Sequence, residues 1–512
     1  MDLGSNFLAS AARSPSAVAL TAYGERLTYS AWSVMILQVL SGLNAAGIKR
    51  GHTVAAVLQN GVHCATLYWA CQIGGIIFAP LNWRATEGDL SFLICDCEAS
   101  AVVFDTSITH SAVLADIAHE TLRIDAGPNP PPGWMSFQDL FHSPPAQPRS
   151  CAMPQDTSIV LYTSGTTGRP KGVPRTQASE RAAALGHIAQ NLYRRGESIL
   201  GVMPIYHTMG VKALVMAAML DGSFHCLNRF DPEAALSTIA KEGVTSLSLV
   251  PTLYHDLIHV PSFSKDAVRT VRSLTSAGGP MSPTLAKRLF REFEPDIFVN
   301  QLGSTEIYTH TFNPNAQITP QSVGKAGLLT SVRLVSINAQ SADDFVGPEE
   351  EGEIIVSLRA DDAFTGYWKR PDADSAKIRN GWYWTGDAAK LLPSGDLVLT
   401  GRVDDLIITG GENVSPIEVE ACLISCEGVN EAVVFGLEDE RWGQVVAAAV
   451  KGEALYAHDL DTHCREFGLM SHQRPRDYYF VDEIPKSPVG KVLRRVLIEE
   501  FGKKRSDGSD RV

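Results

Sequence analysis

The 512-residue sequence has no surplus of positive charge: 57 Asp and Glu outnumber 44 Lys and Arg, for a net charge of −13. That balance opposes nonspecific attraction to nucleic acid or an anionic membrane, although a local basic cleft for a small anion is compatible with it. Metal-binding cysteine spacing is missing too. The nine Cys are scattered, and neither Cys95-x-Cys97 nor Cys422-x-x-x-Cys426 has zinc-ribbon spacing or a nearby Cys/His set. Reduced, structural thiols of a cytosolic protein are the expectation. No apolar run is long and clean enough for a bilayer. "CATLYWACQIGGIIFAPLNW" is broken by Gly74-Gly75 and Pro80, and reads as a buried helix running into a buried strand. "GVMPIYHTMGVKALVMAAML" carries Pro204, His207, Gly210 and Lys212. The N-terminus lacks the basic-then-apolar order of a secretory signal, and no repeat or low-complexity tract is present. These absences predict a soluble, cytoplasmic protein with neither nucleic acid nor membrane as a partner.

What is present is an ordinary globular balance, 45% apolar and 20% charged, on a chain too long for one core. Short apolar runs read as strands: "TVAAVL" (53–58), "SAVVFD" (100–105), "SIVLYT" (158–163), "SLSLVP" (246–251) and "DIFVNQL" (296–302). They alternate with amphipathic pieces such as "PTLAKRLFREF" (283–293). That alternation predicts an α/β fold of mostly parallel sheets flanked by helices. "GEIIVSLRA" and "GDLVLTGR" read as antiparallel strands, after which a compact α+β pattern runs to the basic C-terminal helix. The expected division is a large domain over 1–403 and a small one over 404–512, with a polar, frayed tail beyond Phe501.

The chemistry is concentrated in "YTSGTTGRPKG", Tyr162 to Gly172, with three Gly, five hydroxyl-bearing residues and a terminal Lys. Glycines let backbone come close to a ligand, and hydroxyls and amides donate to oxyanions, so the loop suggests phosphate. The nucleoside-triphosphatase pattern G-x-x-x-x-G-K-[ST] fails: counted from Gly165, it meets Pro170, Lys171 and Gly172. The Lys is in place and its neighbours are not.

Four further blocks follow along the chain: "LGSTE" (302–306), "YWTGD" (383–387), "GRVDDLIITGGENVSP" (401–416) and "PKSPVGKVLRR" (485–495). In this order the five resemble the acyl-adenylate-forming superfamily of acyl- and aryl-CoA ligases, nonribosomal adenylation domains and firefly luciferase. "GVMPIYHTMG" and "ERWGQ" bring the chain nearest the 4-chlorobenzoate–CoA ligase branch. The resemblance implies a large N-terminal domain that includes a distorted barrel-like subdomain, and a small mobile C-terminal domain. It also implies a two-step reaction with Mg²⁺ as cofactor and ATP and CoA as co-substrates: adenylation of a carboxylic acid, then transfer of the acyl group to the CoA thiol.

Residue by residue, the resemblance assigns the β- and γ-phosphates to Thr163, Ser164, Gly165, Thr166, Thr167, Gly168 and Lys171. Glu306 resembles the Mg²⁺ ligand, beside the Gly303-Ser304-Thr305 turn; one carboxylate suits a cation that takes its other oxygens from phosphate and water. Asp387 would accept the ribose hydroxyls, with Arg402 near the same sugar, and Gly278, Gly279 and Pro280 would flank the adenine. Lys491 resembles the catalytic Lys that bridges the substrate carboxylate and the α-phosphate, whereas Arg494 and Arg495 read as solvated surface. Rotation of the small domain would pivot at Asp404, with Asp405 the rival, and bring the "GGEN" face, Gly410, Gly411, Glu412 and Asn413, to the pantetheine tunnel. Arg84, Glu412, Trp442, Arg474 and Arg476 would take the phosphoadenosine end of CoA; Trp442 reads equally well as core.

His207 resembles the gate beside the acyl group and is placed among the catalytic residues. Ala184, Thr208, Met209, Ser248, Gly279, Gln301 and Tyr308 would line the pocket. Ser248 and Gln301 make it more polar than a chlorobenzoate pocket, which favours a small aromatic acid with a hydroxyl, amino or ring heteroatom. The alternatives are an enzyme that loads a carrier protein's phosphopantetheine, a ligase for a small non-aromatic acid, and a nucleotide-binding protein without catalysis. No carrier-like segment follows residue 501, and a homodimer is left open.

Overall fold

The computed structural model describes residues 1–107, 120–163, 169–453, 455–486 and 492–506. They form two compact units: Met1–Val332 with Val356–Tyr383, and Arg333–Ile355 with Trp384–Val512. The boundary expected at 403/404 falls inside the second unit.

The first unit is α/β. One sheet of seven strands runs Met135–Ser136, Leu122–Asp125, Ala99–Phe104, Thr53–Val57, Ile77–Pro80, Thr157–Thr163 and Lys171–Thr176. Every pairing is parallel except the last, where Thr157–Thr163 folds back on Lys171–Thr176. A second sheet places Val18–Ala22, Ser223–Cys226, Ser198–Gly201, Ser246–Leu249, Ser273–Ser276 and Ile297–Leu302 side by side and parallel. Antiparallel strands Thr311–Asn313 and Ser322–Ala326 continue it.

One apolar cluster joins the inner faces of both sheets to the helices Leu3–Arg13, Tyr29–Ala45, Val62–Gly74, Gln177–Gln190 and Thr208–Met219. The last two matter for function. Gln177–Gln190 starts at a capping box in which Thr176 and Ser179 satisfy each other's free N–H groups. In Val62–Gly74 every residue from Cys64 on is buried, and the chain leaves through Gly75 at φ 66° into the buried strand Ile77–Pro80. The apolar window there is core. No helix among the described residues is long and apolar enough to cross a membrane.

The second unit holds most of three neighbouring strands, Glu351–Ser357, Trp382–Leu391 and Leu397–Arg402. An α+β segment follows. Val429–Asp439 and Gly443–Gly452 form a long antiparallel pair, extended by Ile407–Thr409 and Glu412–Val414 on one side. Asp477–Phe480 joins Gly443–Gly452 in parallel. Helices Pro416–Ile424 and Ala457–Phe467 pack one face of this sheet, and Arg494–Ser506 the other. The chain is thus a large α/β part followed by a small α+β part.

Candidate active site

In the first unit the glycine-rich turns singled out in the sequence follow the carboxyl ends of parallel strands, where ligands of open α/β sheets bind. Thr163 ends one strand and stands opposite Lys171 in register across the antiparallel pair. The turn holding Gly278, Gly279 and Pro280 follows Ser273–Ser276 and is exposed, with Gly278 at φ 82°. Gly303, Ser304 and Thr305 follow Ile297–Leu302. A Cβ on Gly303 would lie 2.0 Å from the Tyr308 carbonyl oxygen, so only glycine lets this turn close. Ser164 to Gly168, and Lys491, lie outside the described residues.

Glu306 is buried, and the Tyr367 hydroxyl donates to its Oε1 at 2.6 Å. On the same tyrosine ring, 5.2 Å from the centroid, sits Lys171 Nζ. Burial first, and then the Glu306 charge, push the Tyr367 hydroxyl far above the usual phenol range, so it stays a donor. Below them Arg175 is fully buried, paired with Glu180, and stacked 3.7 Å above the Tyr308 ring. It donates to the backbone oxygens of Thr305 at 3.3 Å and Glu306 at 3.0 Å, which fixes the height of the Glu306 turn against the Lys171–Thr176 strand. Lys171 and the Glu306 carboxylate are thus brought to one tyrosine ring through residues the sequence reading had not singled out, Tyr367 and Arg175. For Tyr367 the faint signal is "FTGYW" (364–368), three aromatics around a glycine in a polar stretch; Arg175 has none.

His207 caps the N-terminus of Thr208–Met219, accepting at Nδ1 from the Met209 N–H at 3.3 Å. Ala184 is buried on the adjacent helix, and Met209 packs against Met203 and Val250. Ser248 and Gln301 are buried too. Ser248 Oγ and Gln301 Oε1 have no hydrogen-bond partner among the described residues.

In the second unit Asp387 lies opposite Arg402 across the strand pair and accepts its N–H at 2.6 Å. Gly410 and Gly411, at φ 61° and 87°, make the exposed turn that leads to Glu412. Trp442 closes over this turn: the Gly410 N–H donates to its carbonyl oxygen at 2.8 Å, and a Cβ on Gly410 would lie 2.9 Å from its ring. Trp442 has two sets of neighbours. It packs against the core cluster, while the Arg441 and Arg476 guanidiniums lie 4.7 and 4.9 Å from its ring centroid. Arg474 is tied to Asp461 at 2.7 Å, and Arg84, in the first unit, lies over Trp83 at 4.2 Å. Asp404 is exposed, whereas Asp405 faces Arg494 at 3.5 Å. Arg494 is therefore no solvated surface residue. It also holds Glu420 at 2.5 Å and the Val434 carbonyl at 3.1 Å, bracing helix to sheet; Arg495 is exposed.

A family model described as AMP-binding enzyme matches residues 7–368, and one described as AMP-binding enzyme C-terminal domain matches 418–491. The chain belongs to the AMP-binding enzyme family. Its relatives in that family include a 4-chlorobenzoate–CoA ligase from an Arthrobacter species, 34% identical over 97% of this chain and 95% of the relative. Another is the long-chain-fatty-acid–CoA ligase FadD13 of Mycobacterium tuberculosis, 29% identical over 93% of each. Among solved structures, o-succinylbenzoate CoA synthetase from Bacillus subtilis, in complex with the acyl-adenylate intermediate, superposes with a TM-score of 0.84. It is 25% identical, over 96% of this chain and 97% of that one. This family member is an AMP-forming acid–CoA ligase with ATP and CoA as substrates.

Proposed function

We propose that the acid is small and aromatic and carries a polar ring substituent. The observation that carries this reading is the pair of buried atoms without partners, Gln301 Oε1 and Ser248 Oγ. A buried acceptor left unpaired costs about 1–3 kcal/mol, a cost that a substituent donating to Gln301 removes. The 4-chlorobenzoate relative supports an aromatic acid, while the fatty-acid relative keeps chain length as the contrast to test.

In the first half-reaction the acid's carboxylate, ionised at neutral pH, attacks the α-phosphorus. A carboxylate-oxygen-to-phosphorus bond forms, the bond to the bridging oxygen breaks, and pyrophosphate leaves with that electron pair. No general base is needed, because no proton moves; the obstacle is bringing anions together. Lys171 and the hydroxyls and amides of 163–168 take the β- and γ-phosphates, and Lys491 bridges the carboxylate and α-phosphate. Asp387, oriented by Arg402, accepts the ribose hydroxyls. Glu306 fits Mg²⁺: Tyr367 engages Oε1, Oε2 accepts no hydrogen bond among the described residues, and a lone carboxylate is what Mg²⁺ uses beside phosphate. The ion would supply charge neutralisation at the phosphates. In the second half-reaction the CoA thiolate attacks the acyl carbon and AMP leaves. Residues beyond a pivot at Asp404 then exchange Lys491 for the Gly410–Gly411–Glu412 face.

The test is a panel of substituted benzoates, heteroaromatic acids and fatty acids, scored by AMP release with CoA. Highest kcat/KM on a hydroxy- or amino-substituted aromatic acid is expected. A maximum on long-chain acids would sink the aromatic reading.

A further inference from the structure

Helix Thr208–Met219 is buried from Met209 to Ala218, yet it carries a lysine in the middle. Lys212 is 3% exposed and forms no ion pair among the described residues. It stands one turn beyond Thr208 on the same helix face, and on the neighbouring helix His187 stands one turn beyond Ala184. Thr208 and Ala184 are both pocket positions, so the helix geometry sets Lys212 and His187 one layer deeper. His187 is wholly buried, lies within electrostatic reach of Lys212, and has no partner at either ring nitrogen among the described residues. A neutral imidazole offers one donor and one acceptor, and an ammonium offers donors only.

The nearby charges do not use these groups up. Glu180 is taken by Arg175. Asp362 is buried, and burial raises its carboxyl while Arg175 and Lys212 lower it, but no ion pair joins it to Lys212 among the described residues. Burial lowers the Lys212 ammonium to about 8, with Asp362 and Glu180 holding it up and Arg175 pushing it down, so it is largely charged at neutral pH. A buried charge without close pairing is costly, and a bound oxygen acceptor relieves that cost.

We infer that Lys212, with His187 beside it, forms the far wall of the acyl pocket and selects acids with a second oxygen group, hydroxyl or carboxylate, remote from the carboxyl that reacts. The inference rests on the aromatic-acid reading and on the pocket positions of Ala184 and Thr208.

The probes are benzoate, 3- and 4-hydroxybenzoate, isophthalate and terephthalate, each assayed by acid-dependent pyrophosphate exchange. Wild type is expected to prefer an oxygen-bearing acid over benzoate by about ten- to hundredfold, the range of one charge-assisted hydrogen bond. The hydroxy and dicarboxylic arms tell which oxygen group is read. Lys212→Met, of similar length and apolar, should abolish the preference mainly through KM while benzoate turnover stays within a few-fold. If Lys212→Met lowers all acids equally, Lys212 is only a counter-charge for Asp362 and the inference is overturned. Should that variant misfold, the wild-type ranking decides: equal kcat/KM for benzoate and its oxygen-bearing analogues overturns the inference and leaves the aromatic reading standing. A panel on which no aromatic acid drives exchange overturns both.

Discussion

The Tyr367 hydroxyl reaches across 61 positions of chain to donate to Glu306 Oε1 at 2.6 Å. It orients the carboxylate assigned to Mg²⁺ while its ring lies beneath Lys171 Nζ. Tyr367→Phe keeps the ring and deletes the donor. A hydrogen bond to a charged group is worth about 1.5–3 kcal/mol, so pyrophosphate exchange should fall about ten- to hundredfold, with a higher Mg²⁺ requirement. Exchange rates titrated against Mg²⁺ check this; an unchanged titration would remove Tyr367 from the site.

Lys491 and Gly411 are expected to divide the half-reactions. Losing one electrostatic contact to the transition state typically costs about 10²–10³ in rate. Lys491→Ala should therefore cripple ATP-driven turnover yet still convert a pre-made acyl-adenylate and CoA to thioester. Gly411→Leu, at a position of positive φ on the exposed turn, should do the reverse. Presteady-state measurement of each step decides, and equal slowing of both by Lys491→Ala would refute alternation.

Arg474 and Arg476 flank one proline but should behave differently. Arg474 is engaged by Asp461, and Arg476 lies over Trp442 beside the Gly410 turn. Arg476→Ala should raise KM for CoA, less so for pantetheine, and spare pyrophosphate exchange. Arg474→Ala should mainly lower stability, by no more than about 1 kcal/mol for a partly exposed pair. KM values for the two thiols and thermal melts separate the outcomes; a larger CoA effect from Arg474→Ala would reverse the assignment.

Acid should destabilise the first unit through His225, which is buried between Thr21 Oγ1 and Ser198 Oγ, each at 2.8 Å. Burial lowers its pKa to about 4, with Glu242 raising it and Arg26 lowering it. An unfolded histidine titrates near 6.5, so between about 6.5 and 4 the unfolded state binds the extra proton. Stability is present above 6.5 and lost as pH falls through that window. At about 1.4 kcal/mol per pKa unit the loss is on the order of 3 kcal/mol. Unfolding free energy measured from pH 7 to 4 should fall less steeply in His225→Gln than in wild type. An identical slope would exclude the ring.

By itself the sequence determined the reaction class, because groups suited to hold one phosphate or close one turn are consecutive along the chain. "YTSGTTGRPKG" and "LGSTE" carry their chemistry in adjacent residues, and glycine at 303 is legible before any contact is known. Strand and helix periodicity likewise gave away the buried window ending at Pro80 and the change to α+β in the C-terminal part. Only the tertiary structure could decide contacts between distant segments, which leave no spacing rule in the chain. Arg494 looks like any basic residue near a polar tail until Glu420 and Val434 are folded against it. Lys212 in an apolar helix is a mere blemish in hydropathy until burial on all sides makes its charge costly. Tyr367 acquires its role only when the chain returns to Glu306. Local chemistry is written in order along the backbone, whereas desolvation and cross-strand pairing exist only once the fold has excluded water.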